Sequence, residues 1–255
     1  MSARPRTASV RALHNQLKRK FILKHVAPHS RVLDVGAGRG GDLSKWRAAR
    51  AQLWACEPDP EALAEARRRA ARVHPEATLL AGDVLQALAG LPAGPHAAPA
   101  GPHAAPAGPH AAPAEFDVVA FNFSAQYLFR DEAYARASVE RVAQLLRPGG
   151  RLIGVVPDAA KVLLRACPDI AVPAHAGSRG PRFGELVDVY LRDCPYYQHG
   201  VVAEPLCYRE LLVALSAAAR LRLLEWAPFH AERTGAITDT YVTFVFEKED
   251  ASEPA

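Results

Sequence analysis

Residues 31–46 read RVLDVGAGRGGDLSKW: an apolar run, a turn holding four glycines, then a return to apolar and basic side chains. An apolar run closed by glycines reads as a buried strand that ends at a turn where backbone approaches a ligand, the first strand–helix unit of an open α/β sheet. Outward from it, the pattern predicts a helix over Ser9–Val26 before the run and a helix from about Gly41 after it. Strands QLWACE (52–57), ATLLAG (77–82), FDVVAFNF (116–123) and GRLIGVVP (150–157) then alternate with helices at Asp59–Val73 and Asp131–Leu146, and with a short helix after Gly82. Alternation of this kind specifies a doubly wound, mostly parallel sheet. A helix over Tyr208–Ala219 and the strands LRLLEWAPF (221–229) and TDTYVTFVFEK (238–248) follow, the last two expected as an antiparallel pair closing the sheet.

The chain has 255 residues, 49% hydrophobic and 23% charged, enough for the core of one α/β domain over 1–255. Residues 1–8 and 249–255 read as flexible ends. Between the third and fourth strands the unit AGPHAAP occurs three times over 93–113, and its recurring prolines prevent a strand or stable helix. It reads as a flexible surface insertion, and its His96, His103 and His110 as part of that insertion rather than a metal tract. Cys56, Cys167, Cys194 and Cys207 form no CxxC pair, so neither a disulfide framework nor a zinc ribbon is indicated, and Cys194, His199 and Cys207 read as core and loop residues. With no apolar run of about 18 residues and no signal-peptide pattern, an intracellular protein without a membrane partner is expected.

Charge is asymmetric. The first acidic residue is Asp34, and residues 1–33 carry eight Lys and Arg, an electrostatic footprint that suits a polyanion as well as a solvated N-terminus.

Gly36, Gly38 and Gly41 satisfy the G-x-G-x-x-G spacing of a dinucleotide site. Asp34, two positions before the first glycine, has no task beside an anionic pyrophosphate but can balance a cationic amino acid group, which favours S-adenosylmethionine as cofactor. Glu57, at the end of the second strand, can accept both ribose hydroxyls, and Asp83, after the third, can accept from an adenine amino group. Asp83 in GDVLQA also reads as a helix N-cap.

Several separated stretches resemble the messenger RNA cap guanine-N7 methyltransferases of eukaryotes and large DNA viruses. They are HNQLKRKFI (14–22), VLDVGAGRGGDLSKW (32–46), FNFSAQYLF (121–129), LRPGG (146–150), FGELVDVYL (183–191), VVAEPLCY (201–208) and TYVTFVFEK (240–248). The resemblance implies a Rossmann-like class I S-adenosylmethionine-dependent methyltransferase fold with an antiparallel C-terminal strand. It implies a cofactor pocket lined by Lys18, Asp34, Gly36, Gly38, Glu57, Asp83, Asn122 and Tyr127. It places His14, Asn15, Arg39, Lys45 and Arg69 toward the cap nucleotide and its triphosphate, and Phe123, Gln126, Tyr127, Glu204 and Tyr241 around the guanine. Capped RNA is the implied substrate, with other capping enzymes or a small activating subunit as partners, in a nucleus or at a viral replication site. Three positions depart from the family pattern: Gln126 stands where histidine is usual, Asn122 where glutamine is usual, and Glu57 where aspartate is commoner.

Chemistry supports these roles. One carboxylate, Glu204, can take the adjacent N–H donors of the guanine Watson–Crick edge, and an aromatic face contributes roughly 1 to 3 kcal/mol of stacking. Guanine N7 carries a free lone pair, so Glu204, Tyr241 and Gln126 need only position it for in-line displacement; orientation of this kind removes roughly 7 to 11 kcal/mol of barrier, with no general base. A small-molecule methyltransferase would share the cofactor features but have no use for the basic N-terminus, and a non-catalytic cap-binding relative would fit the loss of histidine at Gln126.

Overall fold

The apolar run forms β1 (Arg31–Val35), and the alternating pattern continues as α2 (Leu43–Ala48), β2 (Gln52–Glu57), α3 (Pro60–Val73), β3 (Thr78–Ala81), β4 (Phe116–Asn122), α4 (Glu132–Leu145) and β5 (Leu146–Pro157). The N-terminal helix α1 spans Arg6–His25, and the chain closes with α5 (Ala159–Leu164), β6 (Ile170–Ala171), β7 (Leu186–Val189), β8 (Val202–Pro205), α6 (Arg209–Ala218), β9 (Leu221–Pro228) and β10 (Tyr241–Lys248). This computed structural model describes residues 6–87, 89, 115–164, 167–191, 197, 199–232, 234 and 237–250, with the backbone alone for 6–9. The AGPHAAP repeat, Cys194 and residues 251–255 lie outside the described residues.

The main sheet has seven strands in the order β3-β2-β1-β4-β5-β10-β9. Pairs β1–β2, β2–β3, β1–β4 and β4–β5 are parallel; β10 runs antiparallel to both β5 and β9, so the last two strands close the sheet as the expected antiparallel pair, with β9 at the edge. Two apolar layers cover the sheet. Alternation along β1 sends Leu33 and Val35 to the layer shared with Phe121, Val139 and Leu212, and Val32 to the layer shared with Ile22, Trp46 and Ala70. Asp34 therefore falls on the Trp46 side, buried at 4% exposure.

Local chemistry sets the ends of the elements. Asp59 accepts from the backbone of Glu61 and Ala62 and Pro60 opens α3, while Asp131 accepts from Tyr134 N to start α4. The helix expected from Gly41 is shorter, because the turn keeps Gly40 at φ +74° and helical backbone begins only at Leu43. The short helix expected after Gly82 is a turn over 84–87. The segment after β4 makes a 3-10 turn over Ala125–Arg130.

β6, β7 and β8 form a separate antiparallel sheet of three strands. Register sets Glu204 opposite Val187, both buried, so the small sheet turns one carboxylate inward.

Candidate active site

Strand order reverses between β1 and β4, and in open α/β sheets ligands bind outside the carboxyl ends of the strands at that switch. The two strand ends are fastened together here. Ser124 Oγ donates to the Val35 carbonyl at 2.5 Å, and a Cβ added to Gly36 would lie 2.6 Å from Ser124 Cβ. Gly36, at φ +74°, is thus required both by backbone conformation and by space.

The turn itself presents few open donors. Gly36 N and Ala37 N donate to the Cys56 carbonyl, Gly40 N to Ala37 O, and Gly38 N to Glu57 Oε2 at 2.7 Å. Glu57 Oε2 thus takes an N–H that a pyrophosphate would need, which weighs against the dinucleotide reading of G-x-G-x-x-G. Glu57 is held by a second backbone donor, Asp59 N on Oε1 at 3.0 Å, which fixes the carboxylate at the end of β2 with a lone pair remaining on each oxygen. Asp83 carries a double load. Oδ1 accepts from Leu85 N and Gln86 N, which closes the turn over 84–87 rather than capping the helix expected there, and Oδ2 accepts from Tyr134 Oη at 2.8 Å.

A buried ionic cluster lies behind the glycines. Asp42 Oδ1 stands 2.7 Å from both Lys18 Nζ and Lys45 Nζ. Asp42 occupies the N-cap position of α2 but makes no side-chain cap bond, its carboxylate being engaged by the two lysines. Burial alone would raise its pKa; the two ammoniums hold it below the usual range instead. Asp34 has the opposite fate. Burial and the neighbouring Asp42 raise it to about 7, against the Trp46 Nε1 hydrogen bond at 2.8 Å and the pull of Lys18 and Lys45.

Lys45 was expected to reach the cap phosphates, yet its ammonium faces inward, to Asn15 Oδ1 at 2.9 Å, the Gly41 carbonyl at 2.9 Å and Asp42. All three of its donors are engaged there and its side chain is 5% exposed, so it holds Asn15 from behind rather than projecting from the surface. Arg69 stands at the rim on α3, paired through Nε with Glu65, and Arg39 lies close enough to act on the same carboxylate.

On the other side of the switch an aromatic box forms around Phe123, itself in left-handed backbone at φ 63°. The His14 ring stacks on Phe123 at 5.3 Å, and Tyr241 and Phe229 meet Phe123 edge-on at 4.7 and 5.6 Å. Lys18 Nζ lies 5.1 Å from the same ring centroid, which links the box to the ionic cluster. His14 bonds to Thr238 Oγ1 at 2.8 Å, and burial plus Lys18 lower its pKa to about 4, so the ring is neutral at pH 7.

Glu204 completes the constellation. It accepts from Tyr197 Oη at 2.6 Å and Tyr127 Oη at 3.3 Å on Oε1, and from Gln126 Nε2 at 3.2 Å on Oε2. Burial raises its pKa while the three donors oppose that shift. The second Gln126 donor hydrogen goes to the Phe123 carbonyl at 3.1 Å, leaving the buried Oε1 without a partner. Both partners are pure acceptors, which fixes the amide orientation. Both Gln126 N–H donors are therefore committed within the protein, and the atom this residue offers is an acceptor.

Asn122, at the end of β4, is 8% exposed, and neither its amide nitrogen nor its oxygen finds a partner. An unsatisfied buried amide beside the glycine turn fits a polar ligand in the crevice. Among the described residues no group of three or more His, Cys, Asp or Glu is arranged to hold a metal ion.

Sequence reasoning missed Asp42, Trp46, Tyr197, Thr238 and Phe229 as site residues. Asp42 stood inside the quoted GGDL stretch, but its pairing with Lys18 crosses 24 positions and left no local signal. Tyr197 lies in CPYYQHGVV, which reads as an ordinary turn.

Relatives sharpen this geometry. The profile of the mRNA (guanine-N(7))-methyltransferase domain matches residues 3–184. The mRNA cap guanine-N(7) methyltransferase of Cryptococcus neoformans var. neoformans is 29% identical over 235 residues, covering 87% of this chain and 36% of that protein. The chain thus spans about a third of the length of the curated relatives it matches. Among solved structures, the PH0226 protein of Pyrococcus horikoshii superposes with a TM-score of 0.63 at 14% identity, covering 94% of this chain and 91% of that one. The glycopeptide N-methyltransferase MtfA in complex with S-adenosyl-L-methionine gives 0.58 at 16% identity over 93% and 94% of the two chains. The fold is that of the class I S-adenosylmethionine-dependent methyltransferases, and with a profile match over most of its length this chain belongs to the mRNA (guanine-N(7))-methyltransferase domain family.

Proposed function

We propose that this chain transfers a methyl group from S-adenosylmethionine to N7 of the terminal guanine of GpppN-capped RNA. The observation that carries the reading is the buried Glu204 carboxylate, ringed by Tyr197, Tyr127 and Gln126 and set beside the His14–Phe123–Tyr241 aromatic box at the sheet's switch point. An inward-facing acceptor next to aromatic faces is what a guanine base requires.

When bound, the cofactor supplies an electrophilic methyl group on a sulfonium sulfur. The residues that would hold it are Gly36 and Gly38 by close backbone approach, Glu57 toward the ribose, Asp83 toward the adenine, and Asn122 through its unpartnered amide. Lys18, and Asp34 once it is ionised above about pH 7, suit the carboxylate and ammonium of its amino acid part. Tyr127, half exposed above Glu204, borders both pockets.

Guanine N7 needs no deprotonation, so the chain's work is orientation. Phe123, Tyr241 and neutral His14 fix the base plane; Glu204 accepts from its N–H edge and gains strength as the ring becomes cationic. The unpartnered Gln126 Oε1 adds a second acceptor on the same edge. Asn15, Arg39 and Arg69 face the triphosphate, with Lys45 positioning Asn15 from within. The fungal and plant origin of the curated relatives favours work in the nucleus.

A methylation assay on GpppN-capped RNA, with the product digested and resolved for N7-methylguanosine, tests the reading. Transfer to small nucleophiles but not to capped RNA would replace it with a small-molecule methyltransferase. The committed donors of Gln126 favour one second reading, a cap-binding relative with weak turnover, which cap binding without N7 methylation would support.

A further inference from the structure

The helix α1 presents two faces with different duties. His14 and Lys18 point into the site, and Asn15, on the exposed edge beside them, is held by Lys45. Arg11 and Arg19 lie four residues before and after Asn15, so the three form one row along the helix, about 12 Å from end to end at 1.5 Å per residue. Arg11, Asn15 and Arg19 are all exposed, as is Lys20 on the adjoining row.

These cations differ from the many among the described residues that pair with an acid. Arg68, Arg69, Arg130, Arg136, Arg147, Arg151, Arg182 and Arg222 each pair with a carboxylate, whereas Arg11, Arg19 and Lys20 pair with none among the described residues. The helix offers no acid of its own, since the first acidic residue of the chain is Asp34. Exposed arginines left unpaired in a row repel one another and carry no packing role, but they match a polyanion that runs past the site.

We propose that the Arg11–Asn15–Arg19 row, with Lys20, is the track for the sugar–phosphate backbone of the RNA beyond its cap. The inference rests on the cap-methylation reading above and adds to it a binding surface outside the guanine and triphosphate pockets. Continuity supports the direction. Asn15 belongs to both surfaces: it accepts from Lys45 next to the glycine turn, and it is the middle member of the exposed row. Nothing along the row reads base edges, so the track takes RNA without sequence preference and responds strongly to salt.

The test compares two substrates, the dinucleotide GpppG and a capped RNA of about ten nucleotides, with the wild-type chain and the double variant Arg11→Ala/Arg19→Ala. Arg136→Ala/Arg179→Ala, which removes the same charge at exposed positions off the helix, is the control. The wild type should use the longer RNA with a KM about 10-fold below that for GpppG, and the double variant should lose that advantage with kcat and the GpppG kinetics unchanged. The slope of log KM against log salt on the longer RNA should fall by about 1.4, the release of two single-strand contacts at about 0.7 each. Equal KM values for the two substrates in the wild type, or an equal loss on GpppG in the double variant, overturns the track while leaving cap methylation standing. An equal loss in the control variant also overturns it. If the wild type methylates neither substrate at N7, the reading beneath the track fails and the track with it.

Discussion

Gln126 Nε2 donates to Glu204 Oε2 across 3.2 Å, and both groups are buried, at 3% and 5% exposure. The amide is thus a neutral donor to the carboxylate proposed to read the base. Gln126→Glu replaces that donor with a second acid, and two carboxylates at this distance hold one proton between them. At pH 6 the shared proton stands in for the amide hydrogen, and activity should be close to wild type. As pH rises the pair loses that proton and the charges repel, so methyl transfer should fall at least 10-fold by pH 8.5 relative to wild type at the same pH. Parallel pH–rate profiles would show that Gln126 does not act through Glu204.

Removing the carboxylate is a harsher change. Glu204→Ala takes away the shared partner of Tyr197, Tyr127 and Gln126. Methyl transfer to capped RNA should drop about 100-fold or more, the scale set by losing one preorganised group that stabilises the transition state. S-adenosylmethionine affinity, measured by calorimetry, should stay within about 3-fold, because of the residues proposed to hold the cofactor only Tyr127 touches Glu204. A matched loss of cofactor binding would move Glu204 out of the guanine pocket.

How much of this was readable in advance depends on whether the signal is local. The run Arg31–Val35 and its glycines announce a strand and a ligand-facing turn because five strand residues and four glycines do all the work within one stretch. The doubly wound, mostly parallel sheet followed from the alternation of strand and helix periods. By contrast β6 has two residues and β7 and β8 four each, too short for an alternating pattern to separate them from loop. Glu204 was named only through its motif, and the sheet that turns it inward had no signature. Phe123 was named as a stacking residue, but its left-handed backbone is imposed by the exit from β4, where Phe123 N bonds to Val155 O. Lys45 was read as facing the cap triphosphate because sequence cannot show that Asn15, Gly41 and Asp42 surround its ammonium.

Asp42 is a prediction of stability as much as of function. Asp42→Ala leaves the Lys18 and Lys45 ammoniums facing each other without their common counter-ion, and breaking a buried ion pair from one side costs about 3 to 5 kcal/mol. The denaturation midpoint should fall accordingly. Lys45→Met on the same background removes one of the stranded charges and should recover part of the loss; no recovery would mean that the cluster is not coupled as its geometry indicates.

Asp34 gives a pH dependence with a definite sign. Its folded pKa stands at about 7 against an ordinary value of 3.8, so between those limits the folded state keeps a proton that the unfolded chain has released. Folding stability from this group therefore declines as pH rises from about 4 to about 7 and is level above that. Asp34→Asn keeps an acceptor for Trp46 Nε1 and removes the titration. Against wild type, the variant should gain stability steadily between pH 5 and about pH 7 in urea titrations and hold that gain to pH 8, while losing S-adenosylmethionine affinity at pH 8. Stability curves that stay parallel over that range would show that Asp34 is ionised alike in both states.

Gly36 tests whether the fastening of β1 to β4 is what shapes the crevice. An alanine there meets two separate penalties. Left-handed backbone at φ +74° costs a residue with a Cβ about 1 to 2 kcal/mol, and the new methyl lies 2.6 Å from Ser124 Cβ, an overlap that typically costs a further 1 to 3 kcal/mol. Relief of that overlap must move Ser124, whose Oγ donates to the Val35 carbonyl, so the strand ends separate where Asn122 and Gly38 should meet the cofactor. Gly36→Ala should therefore lower both the melting temperature and S-adenosylmethionine affinity. Adding Ser124→Gly removes the overlapping atoms and should restore stability in part, since the backbone penalty at residue 36 persists. The double-variant cycle separates the two causes. A coupling energy near zero would place the whole cost in the backbone of Gly36 and leave the contact with Ser124 without a role in holding the pocket.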